Sequence, residues 1–164
     1  MMQFRIGQGY DTHQLVEGRD FWLGGIKIPH YKGASGHSDA DVLIHAICDA
    51  ILGAANLRDI GYHFPNKDAQ YKDIDSKILL SRVMDMVRKR GYELVNVDAT
   101  VCLEKPKISS HIEAMQNCLA AVMQVGPDAI SIKATTNEKM GFVGREEGVF
   151  AQAVALLYKK DNAQ

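Results

Sequence analysis

Between Ala40 and Leu52 the only polar residues are Asp41, His45 and Asp49, spaced four apart. On an α-helix, positions i, i+4 and i+8 stack into one stripe. The remaining faces carry Val42, Leu43, Ile44, Ala46, Ile47, Ile51 and Leu52. A helix apolar on more than one side belongs in the interior. The chain must therefore wrap around this helix and supply partners for its polar groups, because an unpaired buried charge is costly. Ser38, with Asp41 three residues on, has the pattern of a helix start, so the helix is expected to begin near Ser38. His37 stands beside that start, where unpaired backbone N–H groups form a ready anion site. Cation ligands next to an anion site suggest a metal–phosphate centre. A buried His–Asp hydrogen-bond network is the plainer alternative.

The stretch from Phe4 to Leu15 reads as a strand, with Gly7 and Gly9 either weakening it or admitting a close neighbour. Asp11 and His13 are two apart, so on an extended chain they share a face. Together with His45 they give two imidazoles and a carboxylate. Three protein ligands with an open fourth position is the usual composition of a catalytic zinc site.

At 164 residues, with 46% hydrophobic and 24% charged residues, the chain has the make-up of one soluble globular domain, expected to span residues 1–164. Its formal net charge of -1 argues against a broad basic surface for nucleic acid. No apolar run reaches transmembrane length. Cys48, Cys102 and Cys118 lack CxxC spacing and read as buried free thiols in a reducing compartment. A strand pattern that begins at once leaves no room for a leader, so a cytoplasmic location is expected.

The remaining segments are mostly scaffold. Gly24-Gly25 between two short apolar runs reads as a hairpin turn, with Trp22 as packing. Residues 30–36 read as a loop, and residues 54–68 as a long loop of the kind used for lids and binding. Residues 74–90 and 110–123 have helical spacing. Residues 92–103 alternate as a strand, with Asn96, Asp98 and Thr100 on one face. A short strand at 129–134 leads into Thr135-Thr136-Asn137-Glu138-Lys139-Met140-Gly141-Phe142, which looks like a phosphate and divalent-cation turn but fits no Walker A pattern. The last strand, 149–158, is apolar on both faces, so both must be covered, by helices or by another subunit.

Two segments carry a resemblance. They are Gly9-Tyr10-Asp11-Thr12-His13 followed by Gly36-His37-Ser38-Asp39-Ala40-Asp41-Val42-Leu43-Ile44-His45, and Lys133-Ala134-Thr135-Thr136-Asn137-Glu138-Lys139-Met140-Gly141-Phe142. With Asp59-Ile60-Gly61 and Phe64-Pro65 between them, the chain closely resembles the 2-C-methyl-D-erythritol 2,4-cyclodiphosphate synthases of the non-mevalonate isoprenoid pathway, from about residue 6 to about residue 157. The resemblance implies an α/β (α+β) subunit whose mixed sheet is covered by helices on one face. It also implies a homotrimer, with sheets packed around its axis and active sites between neighbouring subunits. The implied substrate is 4-diphosphocytidyl-2-C-methyl-D-erythritol 2-phosphate, and CMP is released.

By the same resemblance Asp11, His13 and His45 would hold zinc. His37 and Thr136 would stabilise the transition state, and Glu138 would hold a second divalent ion, magnesium or manganese. Asp59, Ile60 and Gly61 would hold the erythritol part, with the loop Phe64, Pro65, Asn66, Lys67 and Asp68 folding over it. Leu103, Lys107, Ser109 and Thr135 would line the cytidine pocket, and Ser38, Phe142 and Arg145 would also meet substrate. Arg145 and Glu147 would lie near an axial cavity able to take an isoprenoid diphosphate. Asp49 would sit behind the metal, orienting a ligand. Asn66 stands where members often carry an acidic residue, Tyr10 where Phe is common, and Glu104-Lys105 where Ala-Gln is common. Two other readings fit the ligands: a zinc phosphohydrolase whose water attacks a phosphoester, and a non-catalytic nucleotide-binding trimer with structural zinc.

Overall fold

The computed structural model describes residues 3–65 and 67–159. In chain order the elements are β1 (Gln3–Glu17), β2 (Phe21–Leu23), β3 (Ile26–Ile28), β4 (Lys32–Ser35), α1 (Val42–Ala54), α2 (Ile60–His63), α3 (Ser76–Lys89), β5 (Tyr92–Cys102), α4 (Ile112–Met123), β6 (Ile130–Thr135), α5 (Gly141–Gly144) and β7 (Gly148–Lys159). Five strands form one sheet in the order β4-β1-β7-β5-β6, and β2 and β3 form a separate hairpin. Within the sheet only β5 and β6 run parallel. Parallel neighbours need a crossover connection, and α4 provides it. The expected mixed sheet with helices over one face is what the chain forms.

Helix α1 lies in the middle, as its composition requires. Residues from Val42 to Leu52 are buried except Asp49. It sits directly on β1 and β7. The two glycines of β1 explain how. A Cβ on Gly9 would lie 1.9 Å from the Ala46 carbonyl oxygen, and one on Gly7 would lie 2.0 Å from that of Ala50. Helix backbone rests against strand backbone with no room for a side chain, so the glycines serve close approach rather than flexibility. On β7 the same face presents Ala151, Ala153, Ala155 and Leu157, all buried. Helix α3 packs on α1, α4 packs on α3 and β6, and together they complete one continuous core.

The other face of the β1–β7 pair is bare in the single chain and carries several exposed apolar side chains. Register pairs Phe4 with Tyr158, Ile6 with Leu156 and Gln8 with Val154. Ile6 is 72% exposed and Val154 39%. Thus β7 is covered by this chain on one face only, and the strand's second apolar face is left for something else.

Three expectations change. The helix starts at Val42, with Asp41 rather than Ser38 as its cap. Ala40 adopts a left-handed φ of 58°, which turns the chain just before the helix and takes Ser38 out of capping position. Residues 32–35 are not loop but strand β4, paired with residues 14–17 of β1. Gly33 and Ala34 are buried there, and a Cβ on Gly33 would strike the Asp20 carbonyl at 2.2 Å. This edge is therefore set by tertiary packing rather than by strand propensity. In β5 the alternation slips at Leu94/Asn96, a bulge that turns Val95 outward.

The seating of α1 predicts opposite outcomes for two glycines. Gly9→Ala should cost about 3 kcal/mol or more, because the obstacle is backbone that cannot yield cheaply. Gly53 lies within α1 and its added Cβ would meet nothing closer than 3.9 Å. Gly53→Ala should therefore gain about 0.5–1 kcal/mol from helix propensity. Urea unfolding midpoints at constant slope test both.

Candidate metal centre and substrate cleft

The polar stripe of α1 divides into three tasks. Asp41 is fully buried and structural. Its Oδ1 accepts from the backbone N–H groups of Ile44 and Gly24, both at 3.0 Å, and its Oδ2 accepts from Gly25 N–H at 2.7 Å. One carboxylate thus caps α1 and pins the β2–β3 turn, where Gly24 and Gly25 both take positive φ. Asp49 accepts from Ile60 N–H at 2.8 Å and so ties the start of α2 to α1. It holds that loop rather than a metal ligand, which corrects the expected role behind the metal.

His45 is the stripe residue that meets β1. Its Nδ1 lies 3.0 Å from Asp11 Oδ2 and 3.2 Å from His13 Nε2. Asp11 Oδ2 and His13 Nε2 are themselves 3.0 Å apart. Asp11 and His13 share a strand face, as their spacing implies, and the glycine seat of α1 brings His45 against that face. Burial raises the Asp11 carboxyl, but hydrogen bonds and charge from His13 and His45 outweigh it and hold the group well below the usual carboxylate range. Burial lowers the His45 imidazole, whereas the Asp11 carboxylate raises it, and the net position is above the ordinary histidine value. Among the described residues these three form the one cluster whose ligand atoms converge as a metal site requires. Ligands held about 2.0–2.1 Å from a tetrahedral zinc would be about 3.3 Å apart. The observed separations approach that edge length, so the donor set fits such an ion, and all three residues line the cleft.

The cleft above this cluster has a volume of about 270 Å³. It gathers Asp11, His13, His37, Ser38, His45, Ile60, Gly61 and Phe64. The Nε2 atom of His37 is buried without a hydrogen-bond partner. Buried polar atoms without a partner are rare, and this one belongs to a residue that lines the cleft. Tyr71, Ile74 and Leu79 complete the wall. Ile74 and Leu79 belong to the segment whose helical spacing reads as packing, and Tyr71 lies in the stretch before it, which carries no sequence signal of its own. The Tyr71 ring packs nearly perpendicular to Phe64, 5.5 Å away, and so joins the wall to the loop before it.

Other expected site residues lie elsewhere. Asp59 is exposed and caps α2, accepting from Tyr62 N–H at 2.9 Å. Asp68 caps the short turn after the loop and accepts from Gln70 N–H. Pro65 and Lys67 are exposed on the same loop. Asn66 lies outside the described residues. A second groove, of about 320 Å³, is lined by Leu103, Lys107, Ser109, Thr135 and Thr136 together with Pro106, Ile108 and Ala134. The hydroxyl of Thr136 donates to Glu138 Oε1 at 3.0 Å. Glu138 and Lys139 both take left-handed φ, 50° and 61°, two consecutive residues that turn the chain sharply after β6. The groove and the metal-cluster cleft share no lining residue. Phe142 borders a third hollow beside Tyr10 and His13, and Arg145 is tied to Glu147 by two bonds of 2.9–3.0 Å.

The family model described as YgbB family matches residues 4–158. A protein of Porphyromonas gingivalis named 2-C-methyl-D-erythritol 2,4-cyclodiphosphate synthase is 66% identical over 154 residues, covering 94% of this chain and 95% of that one. The chain belongs to this synthase family. A relative of the same name from Cytophaga hutchinsonii is 63% identical, covering 96% and 99% of the two chains. A solved synthase of the family, in a form bound to CDP, superposes with a TM-score of 0.86 at 37% identity, covering 93% of this chain and 99% of that one. The bifunctional IspDF of Campylobacter jejuni superposes with a TM-score of 0.95 at 40% identity, and 98% of this chain covers 44% of that larger protein. Both confirm the mixed sheet with its helical layer.

Asp41 yields a prediction for this subsection. Asp41→Ala should destabilise the protein by about 3 kcal/mol, through loss of the cap and three buried N–H groups left unpaired. Asp41→Asn should cost less, since one amide oxygen still accepts. Chemical unfolding of both variants checks the order.

Proposed function

We propose that this protein converts 4-diphosphocytidyl-2-C-methyl-D-erythritol 2-phosphate to 2-C-methyl-D-erythritol 2,4-cyclodiphosphate and CMP, in isoprenoid precursor biosynthesis by the non-mevalonate pathway. The observation that carries this reading is the convergence of Asp11, His13 and His45 at the floor of a cleft, in a chain whose relatives bear that synthase's name. In the reaction, an oxygen of the 2-phosphate bonds to the β-phosphorus. The bond from that phosphorus to the bridging oxygen of the CMP phosphate breaks, and CMP departs with the electron pair. The nucleophile is part of the substrate, so no protein nucleophile is required. Holding a tethered nucleophile in line can be worth about 7–11 kcal/mol. The remaining task is to place donors and positive charge around the phosphoryl oxygens.

The residues divide that task. Asp11, His13 and His45 would hold zinc, which supplies positive charge to the phosphoryl oxygens when bound. His37 offers its unpartnered Nε2 to an oxygen of the diphosphate, and Ser38 stands next to it at the cleft. Ile60 and Gly61 face the erythritol chain, Phe64 roofs it, and Tyr71, Ile74 and Leu79 exclude water. The second groove has the size and lining for cytidine, with Lys107 near its phosphate. Thr136 and Glu138 sit at its mouth, where Glu138 would take magnesium or manganese.

A complete site then needs two copies, because the cleft and the groove are separate within one chain. A homotrimer packed through the bare sheet face, with Ile6 and Val154 at the contact, would join one copy's metal cluster to its neighbour's nucleotide groove. Arg145 and Glu147 would lie toward the axis of that trimer, by a cavity open to an isoprenoid diphosphate. No helix among the described residues is long and apolar enough to cross a membrane. The cysteines are unpaired, Cys48 and Cys102 buried as expected and Cys118 only half-buried, which supports a reducing, cytoplasmic setting.

Phosphorus NMR of the metal-reconstituted protein with this substrate tests the reading. Cyclic diphosphate and equimolar CMP are expected. CMP with linear phosphates would replace the reading by a hydrolase, and tight binding without turnover would replace it by a binding protein. His45→Ala should lose zinc and most activity while keeping the wild-type mass in solution. Metal analysis and sedimentation check this, and normal zinc content would overturn the ligand assignment. Glu138→Gln should raise the magnesium concentration needed for half-maximal activity, with zinc content unchanged.

A further inference from the structure

The side of His45 that faces away from the metal cluster is as well furnished as the side that faces it. His45 Nε2 lies 3.0 Å from Ser76 Oγ and 3.1 Å from Ser38 Oγ. Ser76 is fully buried at the first turn of α3. Its hydroxyl donates to Asp39 Oδ1 in a very short contact, and its backbone N–H donates to Asp39 Oδ2 at 2.9 Å. Asp39 is fixed in turn. Its backbone N–H donates to Ile74 O at 3.1 Å, and its Oδ1 also accepts from Asp41 N–H at 3.1 Å. A second backbone bond, Asp73 N–H to His37 O at 2.7 Å, fastens the same two loops.

A serine hydroxyl has one proton to donate. That of Ser76 is committed to a carboxylate, so toward His45 it offers only a lone pair. The Ser38 oxygen accepts from Ala40 N–H at 3.1 Å and can accept again from His45. Both oxygens are satisfied when Nε2 carries a proton. A neutral imidazole with its proton on Nε2 has a free lone pair on Nδ1, the atom that meets Asp11 and His13. A hydrogen bond on the far nitrogen also fixes the ring plane and strengthens the imidazole as a donor to metal.

We propose that Ser76 and Asp39 are positioning residues for the metal, a hydroxyl–carboxylate relay that orients His45 and keeps its Nδ1 free to bind. The relay rests on the reading of Asp11, His13 and His45 as the ligands. It also explains why a buried serine opens α3 beside a fully buried leucine layer. The hydroxyl is matched at every position to a partner, with Asp39 on one side and His45 on the other.

The test uses the full-length protein and zinc itself. Zinc affinity is measured by competition with a chromophoric chelator, and imidazole N–H exchange by NMR of the zinc-loaded protein. Ser76→Ala and Asp39→Asn should each weaken zinc binding by roughly 10- to 100-fold. Ser76→Thr retains the hydroxyl and should bind zinc within about threefold of wild type, on the same scale of effect. The His45 Nε2–H signal should be protected from exchange in wild type and Ser76→Thr, and should exchange rapidly in Ser76→Ala. Urea unfolding of the metal-free variants separates loss of fold from loss of the relay. If Ser76→Ala binds zinc as wild type does, or if its His45 N–H stays protected, the relay is overturned. Equal loss of zinc from Ser76→Thr and Ser76→Ala, with both folded, overturns it as well. A wild-type protein that takes up no zinc instead defeats the underlying ligand assignment.

Discussion

Helix α1 rests on β1 with backbone against backbone, and nearly everything else follows from that seat. Gly7 and Gly9 remove the side chains that would hold the helix off the strand. The helix can then sink until Ala46 and Ala50 touch the sheet and its apolar faces are shared between sheet and outer helices. The same approach sets the distance from His45 to Asp11 and His13. Packing and metal geometry are therefore not separate designs. A shift of the helix large enough to admit one methyl group would also open the ligand cluster, because His45 lies one residue before Ala46.

Charge in the interior is handled by pairing rather than by avoidance. Asp41 gives up solvent for three backbone donors at a helix start and a tight turn. Asp39 joins the start of α1 to the start of α3. Asp49 fixes α2 to the side of α1. Each carboxylate takes donors that a helix or turn would otherwise leave unpaired, which is why the surroundings of the cleft can be both polar and rigid. Rigidity matters here because the chemistry proposed depends on placement rather than on a reactive side chain.

How much of this could be read from the chain depends on how local the cause is. The burial of α1 and the alliance of Asp11, His13 and His45 follow from residue types and spacing alone. The hairpin at Gly24-Gly25 and the helices α3 and α4 follow from short patterns. The cap of α1 falls at Asp41 and not Ser38 because Ala40 turns the chain through a left-handed conformation, which residue types alone do not announce, and its tie to Gly24 and Gly25 lies many residues away. Strand β4 was invisible because Gly33 and Ala34 are in a sheet through what covers them, not through propensity. The bulge in β5 hid behind two adjacent apolar residues, Leu94 and Val95. Ser76 looked like any residue opening a helix, and its partners Asp39 and His45 become visible only when two loops are laced together.

The separation of the Asp11–His13–His45 cluster from the second groove has a genetic consequence under the proposed assembly. A chain that has lost its metal ligands and a chain whose second groove is blocked would each be silent by itself. Assembled together, some of their shared sites would draw the intact half from each. Mixed populations of two defective alleles would then recover part of the activity that neither homogeneous population has. Damage at Gly9 would receive no such rescue, since it strikes the fold of the chain that carries it.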